Sequence, residues 1–359
     1  MKLGILDRYL LREAGGAWLA VTLVLLSIML ATRFARFLGE AATGILPREL
    51  LFEVVALSSL QYLVILIPVS LLLAIMLAMG RLYRDNEIAA MSGCGVGMAK
   101  LYRPFLGLGA ALTLLAFALS FYIGPWAGRT AEYISKDAAR FVQYNPFEAG
   151  RFKEVAGGRA VVYTGEMDAQ GRELTTVFAR VHEKDGDAIV IAQRGHQDAN
   201  PLTGEREVTL SDGYRYRGEA GLAQFDVMRF DEFKTFIQPP EFVFVSDKRR
   251  LYRTADLWRS NDLEDRAELQ WRLAAPFSVL ILALMAVPLS HIRPRQGRYS
   301  KVVLGILAYL VYSQLIAVGQ AWIAKGVIPP AVGLWWAHAL MLGLALWLVA
   351  KRAGGLGRS

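Results

Sequence analysis

The sequence predicts a polytopic α-helical membrane protein with six transmembrane helices and an external all-β, jelly-roll-like domain inserted between helices 3 and 4. Three observations predict it: six charge-free runs long enough to cross a bilayer, one stretch of about 140 residues with soluble composition, and a lopsided placement of Lys and Arg. The expected domains are 1–128, a first transmembrane half; 129–271, the β domain with helical connectors; and 272–359, a second transmembrane half.

The runs cover 14–32, 54–80, 104–128, 273–292, 302–324 and 326–350, or 19, 27, 25, 20, 23 and 25 residues. A helix rises 1.5 Å per residue, so ~20 residues cross a hydrocarbon layer ~30 Å thick, and all six runs qualify. The first exceeds the apolar core of a secretory signal and is followed by Arg33 and Arg36, so it reads as a retained helix. The charge-free runs contain no acid that could relay protons, which argues against a proton-driven carrier.

Lys and Arg near helix ends stay on the cytoplasmic side. Segments 1–13, 81–103, 293–301 and 351–359 together hold 14 basic residues against four acids, whereas 33–53 holds three of each. Both termini are therefore expected in the cytoplasm. Residues 129–272 carry 22 bases and 25 acids, so the net charge of +8 for the whole chain resides in the membrane part. A basic balance of this kind reports topology and contact with anionic lipid, and nucleic-acid binding is not expected. The single cysteine, Cys94, has no partner for an internal disulfide, so the inserted domain must be held by its own core.

Within the insert, apolar residues alternate with polar ones over about eight short stretches: 152–156, 160–164, 174–182, 188–193, 207–211, 213–217, 224–230 and 233–238. Turn signals separate them, Ser211-Asp212-Gly213 among others, and short strands at this spacing predict a sandwich or jelly roll. From Thr254 the period becomes helical, with Thr254-x-Asp256 as a candidate cap, and 130–141 is the other helical connector.

No glycine is followed by lysine, so no phosphate-binding loop is present, and no G-x-S-x-G occurs. Four scattered histidines, at 182, 196, 291 and 338, make no metal pattern. The glycines at 93, 95 and 97 follow no strand and read as a helix–loop joint. No catalytic residue, metal or cofactor of the chain's own is expected.

Two charged features stand out. Arg33 and Arg36 lie three apart at the outer end of the first span, hence on one helix face, with Lys325 on the same outer side. They are either snorkelling interface anchors or a cationic seat for an anionic lipid headgroup, since guanidinium binds phosphate bidentately. The other is the cytoplasmic segment 81–103, where Arg81 to Met91 can form a short amphipathic helix. It is either a solvated surface helix or a docking element in which Glu87, with Arg84, Ile88 and Met91, meets a motor partner.

Several local patterns run together: Arg8-Tyr9-Leu10-Leu11-Arg12-Glu13, Gly80-Arg81-Leu82-Tyr83-x-x-x-Glu87-Ile88-x-x-Met91-x-x-Cys94-Gly95, Gly124-Pro125-Trp126, Arg266-Ala267-Glu268-Leu269-x-Trp271-Arg272, and Val287-Pro288-Leu289-Ser290 ahead of Pro294-Arg295-Gln296-Gly297-Arg298. In these and in its layout the chain resembles the lipopolysaccharide export permease family, LptF and LptG. The last pattern, with Cys94, is more similar to the LptF branch. The resemblance implies a subunit of an ATP-driven ABC exporter that extracts lipopolysaccharide from the inner membrane of a Gram-negative cell. It implies pairing with LptG, two copies of the cytoplasmic ATPase LptB, ATP used only by that ATPase, and a jelly roll continuing through LptC and LptA across the periplasm. It implies that Glu87 lies on the ATPase-coupling helix, that Arg33 faces lipid phosphates with Arg36 and Lys325 as further cations, and that the first and fifth spans form the lateral opening. A permease or mechanotransmitter of another ABC system, such as lipoprotein extraction, and a non-transporting scaffold are the competing readings.

Overall fold

The computed structural model describes residues 4–42, 48–143, 147–155, 158, 160–168, 170–183, 186–199, 205–218, 225–237, 244–291 and 300–355. The pattern Pro294 to Arg298 lies outside the described residues. The chain forms two compact units, one of 1–35, 55–131 and 246–359, the other of 36–54 and 132–245.

The first unit is a helical bundle. The helices of the chain are α1 (Ile5–Ala42), α2 (Arg48–Arg84), α3 (Glu87–Gly93), α4 (Met98–Ala118), α5 (Gly124–Gln143), α6 (Thr254–Arg259), α7 (Leu263–Leu289), α8 (Ser300–Ala324) and α9 (Trp335–Gly355), and the parts of α1, α2 and α5 within 36–54 and 132–143 belong to the second unit. α4 passes into α5 through a π-helical turn, Leu119–Ile123, a widening of the helix that often marks a functional site. Among the described residues, five helices are long and apolar enough to cross a membrane: Ile5–Gly39, Leu50–Arg84, Met98–Asp137, Leu263–Leu289 and Lys301–Ala324. The sixth expected run, 326–350, is not one helix. Gly326 and Gly333 adopt left-handed φ of 72° and 53°, two prolines lie between them, and α9 begins only at Trp335.

The spans also reach beyond their charge-free runs, and this corrects the absence of buried acids. α7 starts at Leu263 and carries Asp265 and Glu268 buried at its beginning. Its N-cap is Asp262, whose side chain accepts from the Glu264 N–H. The expected Thr254 cap is not formed, because the Thr254 hydroxyl donates to the Phe121 carbonyl and α6 is preceded by Arg253. The bundle core is built from α2, α4 and α7, with Leu72, Ile75, Met79, Phe105, Leu282 and Met285 fully buried. Gly109 brings α4 against α7, a Cβ there meeting Ala283 at 3.2 Å, whereas Gly107 faces open space.

The second unit contains a six-stranded antiparallel sheet in sequential order: β1 (Phe152–Val155), β2 (Ala160–Met167), β3 (Glu173–Glu183), β4 (Gly186–Ala199), β5 (Arg206–Gly218) and β6 (Phe225–Ile237). Among the described residues six strands therefore stand where eight were expected, in a single meander rather than two hydrogen-bonded sheets. The stretches 207–211 and 213–217 are one strand, because Ser211-Asp212-Gly213 is not a turn, and the described parts of 224–230 and 233–238 are likewise one strand, β6.

It is a crease. The ladder runs Thr164↔Val177 then Glu166↔Thr175, Val177↔Ala192 then Thr175↔Arg194, Ala192↔Gly213 then Arg194↔Ser211, and Gly213↔Phe230 then Ser211↔Glu232. Thus Gly165, Thr176, Gln193, Asp212 and Asp231 form one unpaired row across five strands, with Thr176 and Asp212 at left-handed φ of 54° and 56°. Inward side chains ordinarily recur every second residue. Here they step by three at the same level in four strands, from Leu174 to Val177, Ala192 to Gly195, Leu210 to Gly213 and Phe230 to Phe233. The sheet folds along that row, and one core joins its two wings: Val162, Val177, Val190 and Ala192 on one side, Leu174, Val208 and Leu210 on the other. Gly213 is required at the fold, since a Cβ would lie 2.4 Å from the Phe230 ring. Arg194 grips Asp212 at 2.6 Å.

Ion pairs stud the wings. Asp187 receives His182 at 2.7 Å and Arg180 at 2.5 Å, which holds its carboxyl below the usual carboxylate range. His196 faces Glu173 at 2.8 Å and Asp198 at 3.2 Å, and these carboxylates raise its pKa.

Candidate functional site

The expected amphipathic helix from Arg81 to Met91 is two pieces. α2 runs on through Arg84 and stops because Asn86 turns left-handed, φ 57° and ψ 13°, so Glu87 opens the separate seven-residue helix α3. α3 ends in a left-handed Gly95 at φ 79°, with the Val96 N–H bonded back to the Met91 carbonyl, so the expected joint is a built turn into α4.

α3 is fastened by both its faces. Ile88 is buried in the bundle and Met91 packs partly against it. Glu87 is held from α1: the Tyr9 hydroxyl donates to Glu87 Oε2 at 2.7 Å. Arg81 donates to the Tyr9 hydroxyl at 2.9 Å, pairs with Glu13 at 2.9 Å, and lies 3.7 Å from Glu87 and 3.9 Å from Asp85. Arg84 is half exposed and pairs with its neighbour Asp85 at 3.0 Å. Of the four expected coupling residues, Glu87 and Arg84 thus reach solvent and Ile88 faces the interior. Tyr9, Glu13 and Arg81 complete the cluster. They stand in two patterns quoted above, but 72 residues separate Tyr9 from Arg81, and no spacing joins them.

At the other end of α1, the Arg33 guanidinium sits over the Tyr62 ring, 4.9 Å from its centroid. Tyr62 lines a cavity of about 230 Å³ together with Gln61, Ser120, Trp271, Arg250 and Gln320. A second cavity of about 300 Å³ shares Val64, Ile65 and Trp271 with it and continues between α2, α7 and α8 past Pro68, Ala275, Tyr309 and Ile316. Both are lined mainly by apolar groups with a few polar ones among them, a lining that suits an amphiphile. Lys325, just past α8, is exposed, and no contact joins it to Arg33 among the described residues. Arg36 is exposed and belongs to the other compact unit.

The cavity floor holds the most buried charge of the bundle. Arg272 is 1% exposed and every arm of its guanidinium is used. Nε meets Glu268 at 3.1 Å, Nη1 donates to Thr254 Oγ1 at 2.7 Å, and Nη2 donates to the carbonyls of Tyr252 at 3.0 Å and Arg250 at 3.1 Å. The Arg272 carbonyl in turn accepts from Ser120 of the π-helical turn at 2.9 Å. Nearby, Arg249 is ringed by Asp265, Asp262 at 2.8 Å and Glu264 at 2.7 Å, and Asp265 and Asp262 raise its pKa further. The i,i+4 spacing of Glu268 and Arg272 was visible in the sequence. Their burial was not, since Arg272 finds its other partners on a loop some twenty residues earlier.

Residues 8–351 match the lipopolysaccharide export system permease LptF/LptG family. The chain belongs to that family. It shares 28% identity over 345 residues with the lipopolysaccharide export system permease protein LptF of Escherichia coli K12, covering 95% of this chain and 93% of that protein. The LptF proteins of Escherichia coli O157:H7 and Shigella flexneri are similar to the same degree. The patterns that suggested the family, and its LptF branch in particular, thus agree with likeness along nearly the whole chain. As a family member with five qualifying helices, it is a multi-pass membrane permease of lipopolysaccharide export.

Proposed function

We propose that this chain is the transmembrane subunit of an ATP-driven exporter that draws lipopolysaccharide out of the inner membrane and hands it to a periplasmic bridge. In this reading it pairs with an LptG sister, two LptB subunits hydrolyse ATP at the cytoplasmic face, and the creased sheet lies in the periplasm toward LptC and LptA. α9 is the sixth span, and both termini are cytoplasmic. Lipid A carries several acyl chains, and each methylene withdrawn from hydrocarbon is worth ~0.8 kcal/mol, so extraction needs work from outside the chain.

The observation that carries the reading is the seat of Arg33 on Tyr62 at the edge of the paired cavities. A cation fixed on an aromatic ring beside an amphipathic opening selects an anionic headgroup and leaves room for its tails. Arg36 and Lys325 add positive charge on the same side of the membrane. Arg84 at the end of α2 and the partly exposed Glu87 at the start of the short docked helix present charge to the ATPase, and Ile88 and Met91 anchor that helix to the bundle. Support for the bridge comes from β6, a 13-residue strand paired only with β5 among the described residues and bearing exposed Val227, Met228 and Phe236. A long open edge of this kind can receive another strand, with Arg229, Asp231, Glu232 and Lys234 as exposed charges along it.

The test is purification of the tagged chain from native membranes in mild detergent, with mass spectrometry of accompanying proteins and lipids. A homologous sister, a P-loop ATPase and bound lipopolysaccharide are the expected companions. Recovery with an unrelated ATPase and no lipopolysaccharide would reject the reading.

A further inference from the structure

Glu87 is presented to a partner while both its oxygens are engaged within the chain, one by the Tyr9 hydroxyl at 2.7 Å and the other within 3.7 Å of Arg81. Its orientation is therefore set by α1, not by α3 alone, because α3 has only seven residues and no side-chain cap. The tie is double, since Arg81 also grips Glu13 one turn further along α1 at 2.9 Å.

α1 is suited to respond to that tie. Only 11% of its most apolar stretch is buried within the chain, against 67% for α2, so few side chains oppose its movement. From Tyr9 to Arg33 it runs 24 residues without a break, about 36 Å, the depth of a bilayer. Its far end carries the guanidinium that rests on Tyr62 at the cavity edge. A rigid helix is thus fixed to the ATPase-facing residue at one end and to the headgroup seat at the other.

We propose that Tyr9 and Arg81 are positioning residues that orient Glu87 and pass displacement of α3 along α1 to the Arg33 seat. This rests on the assignment of Glu87 to ATPase coupling. Tyr9 is exposed and its hydroxyl bonds Glu87 and Arg81, so losing that oxygen removes those two ties and no apolar atom, leaving assembly unchanged while the joint slackens.

The experiment compares Tyr9→Phe, Glu87→Gln and the double variant in the intact complex reconstituted into vesicles containing lipopolysaccharide. It records ATPase retention, ATP hydrolysis and lipopolysaccharide released per ATP. For Tyr9→Phe we expect full ATPase retention, an unaltered melting temperature and about tenfold less lipid released per ATP, the factor a lost charge-assisted hydrogen bond commands. In the Glu87→Gln background, Tyr9→Phe should add nothing, because the two act through one bond. Unchanged release per ATP in Tyr9→Phe, with Glu87→Gln uncoupled, overturns this inference and leaves the coupling assignment standing. Additive losses in the double variant overturn it too, since Tyr9 would then act elsewhere. No effect from either single variant removes the coupling assignment and this inference with it.

Discussion

The arginine clusters around Arg272 and Arg81 are built to opposite ends. Arg272 is sealed from solvent, each arm satisfied by a carboxylate, a hydroxyl or a carbonyl, and its partners come from α7, α6 and the loop before α6. Arg81 is 37% exposed, shares itself among Tyr9, Glu13, Asp85 and Glu87 at 2.9 to 3.9 Å, and leaves Nε without a hydrogen bond. A buried charge with complete coordination has one arrangement and fixes the loop 249–254 against the π-helical turn. An exposed charge with surplus acceptors has several arrangements of similar energy and can exchange among them. The first is a rivet and the second a joint.

Removing the rivet should have the largest effect. Arg272→Met leaves Glu268 buried without its counter-charge, a loss of roughly 3–5 kcal/mol, visible as a collapse of the melting temperature of the purified protein. Adding Glu268→Leu should restore part of it. Arg81→Gln should cost only ~0–1 kcal/mol by the same measurement, because its pairs are solvated. Equal losses at the two positions would erase the distinction.

Charge reversal at the outer end comes next. Arg33→Glu replaces attraction for a phosphate with repulsion, about 2 kcal/mol or roughly thirtyfold in affinity if each charge near the surface is worth ~1 kcal/mol. Photocrosslinking of lipopolysaccharide to a probe at the neighbouring Phe34 should fall accordingly, and unchanged crosslinking would return Arg33 to the role of interface anchor.

The smallest effect belongs to the sheet. Glu173 and Asp198 raise the pKa of His196 in the folded state, so its contribution is full below the unfolded pKa and fades as pH rises through the folded one. The side chain is 43% exposed, which limits the contribution to a few tenths of a kcal/mol. His196→Gln should flatten the decline in stability between about pH 6 and pH 8 without moving the acid limb. Asp187, lowered by His182 and Arg180, shapes that limb in the opposite sense, losing its contribution as pH falls below the ordinary carboxylate pKa.

The helices were legible where charge marks their ends: four of the six runs lie in helices that qualify as spans, and 273–289 of a fifth does too. Charge misled only at the ends of the runs. Arg272 and Glu268 neutralise each other inside a helix, so the charge-free run underestimates α7. In the sheet, Ser211-Asp212-Gly213 has the composition of a hairpin turn, and composition alone does not separate a reversal from a crease; only pairing on both flanks does. The site was half legible. Glu87 and Arg33 announce themselves as charges beside apolar runs, but Tyr9 reads as an ordinary interfacial aromatic until the fold lays α1 beside α2.

The sequential strand order has a consequence for how the protein is made. Each described strand of the insert after the first pairs with the one before it in the chain. Loop closure between neighbours is cheap, and sheets of low contact order form quickly. The insert can therefore assemble hairpin by hairpin as it emerges and present a finished sheet before α7, α8 and α9 have been made.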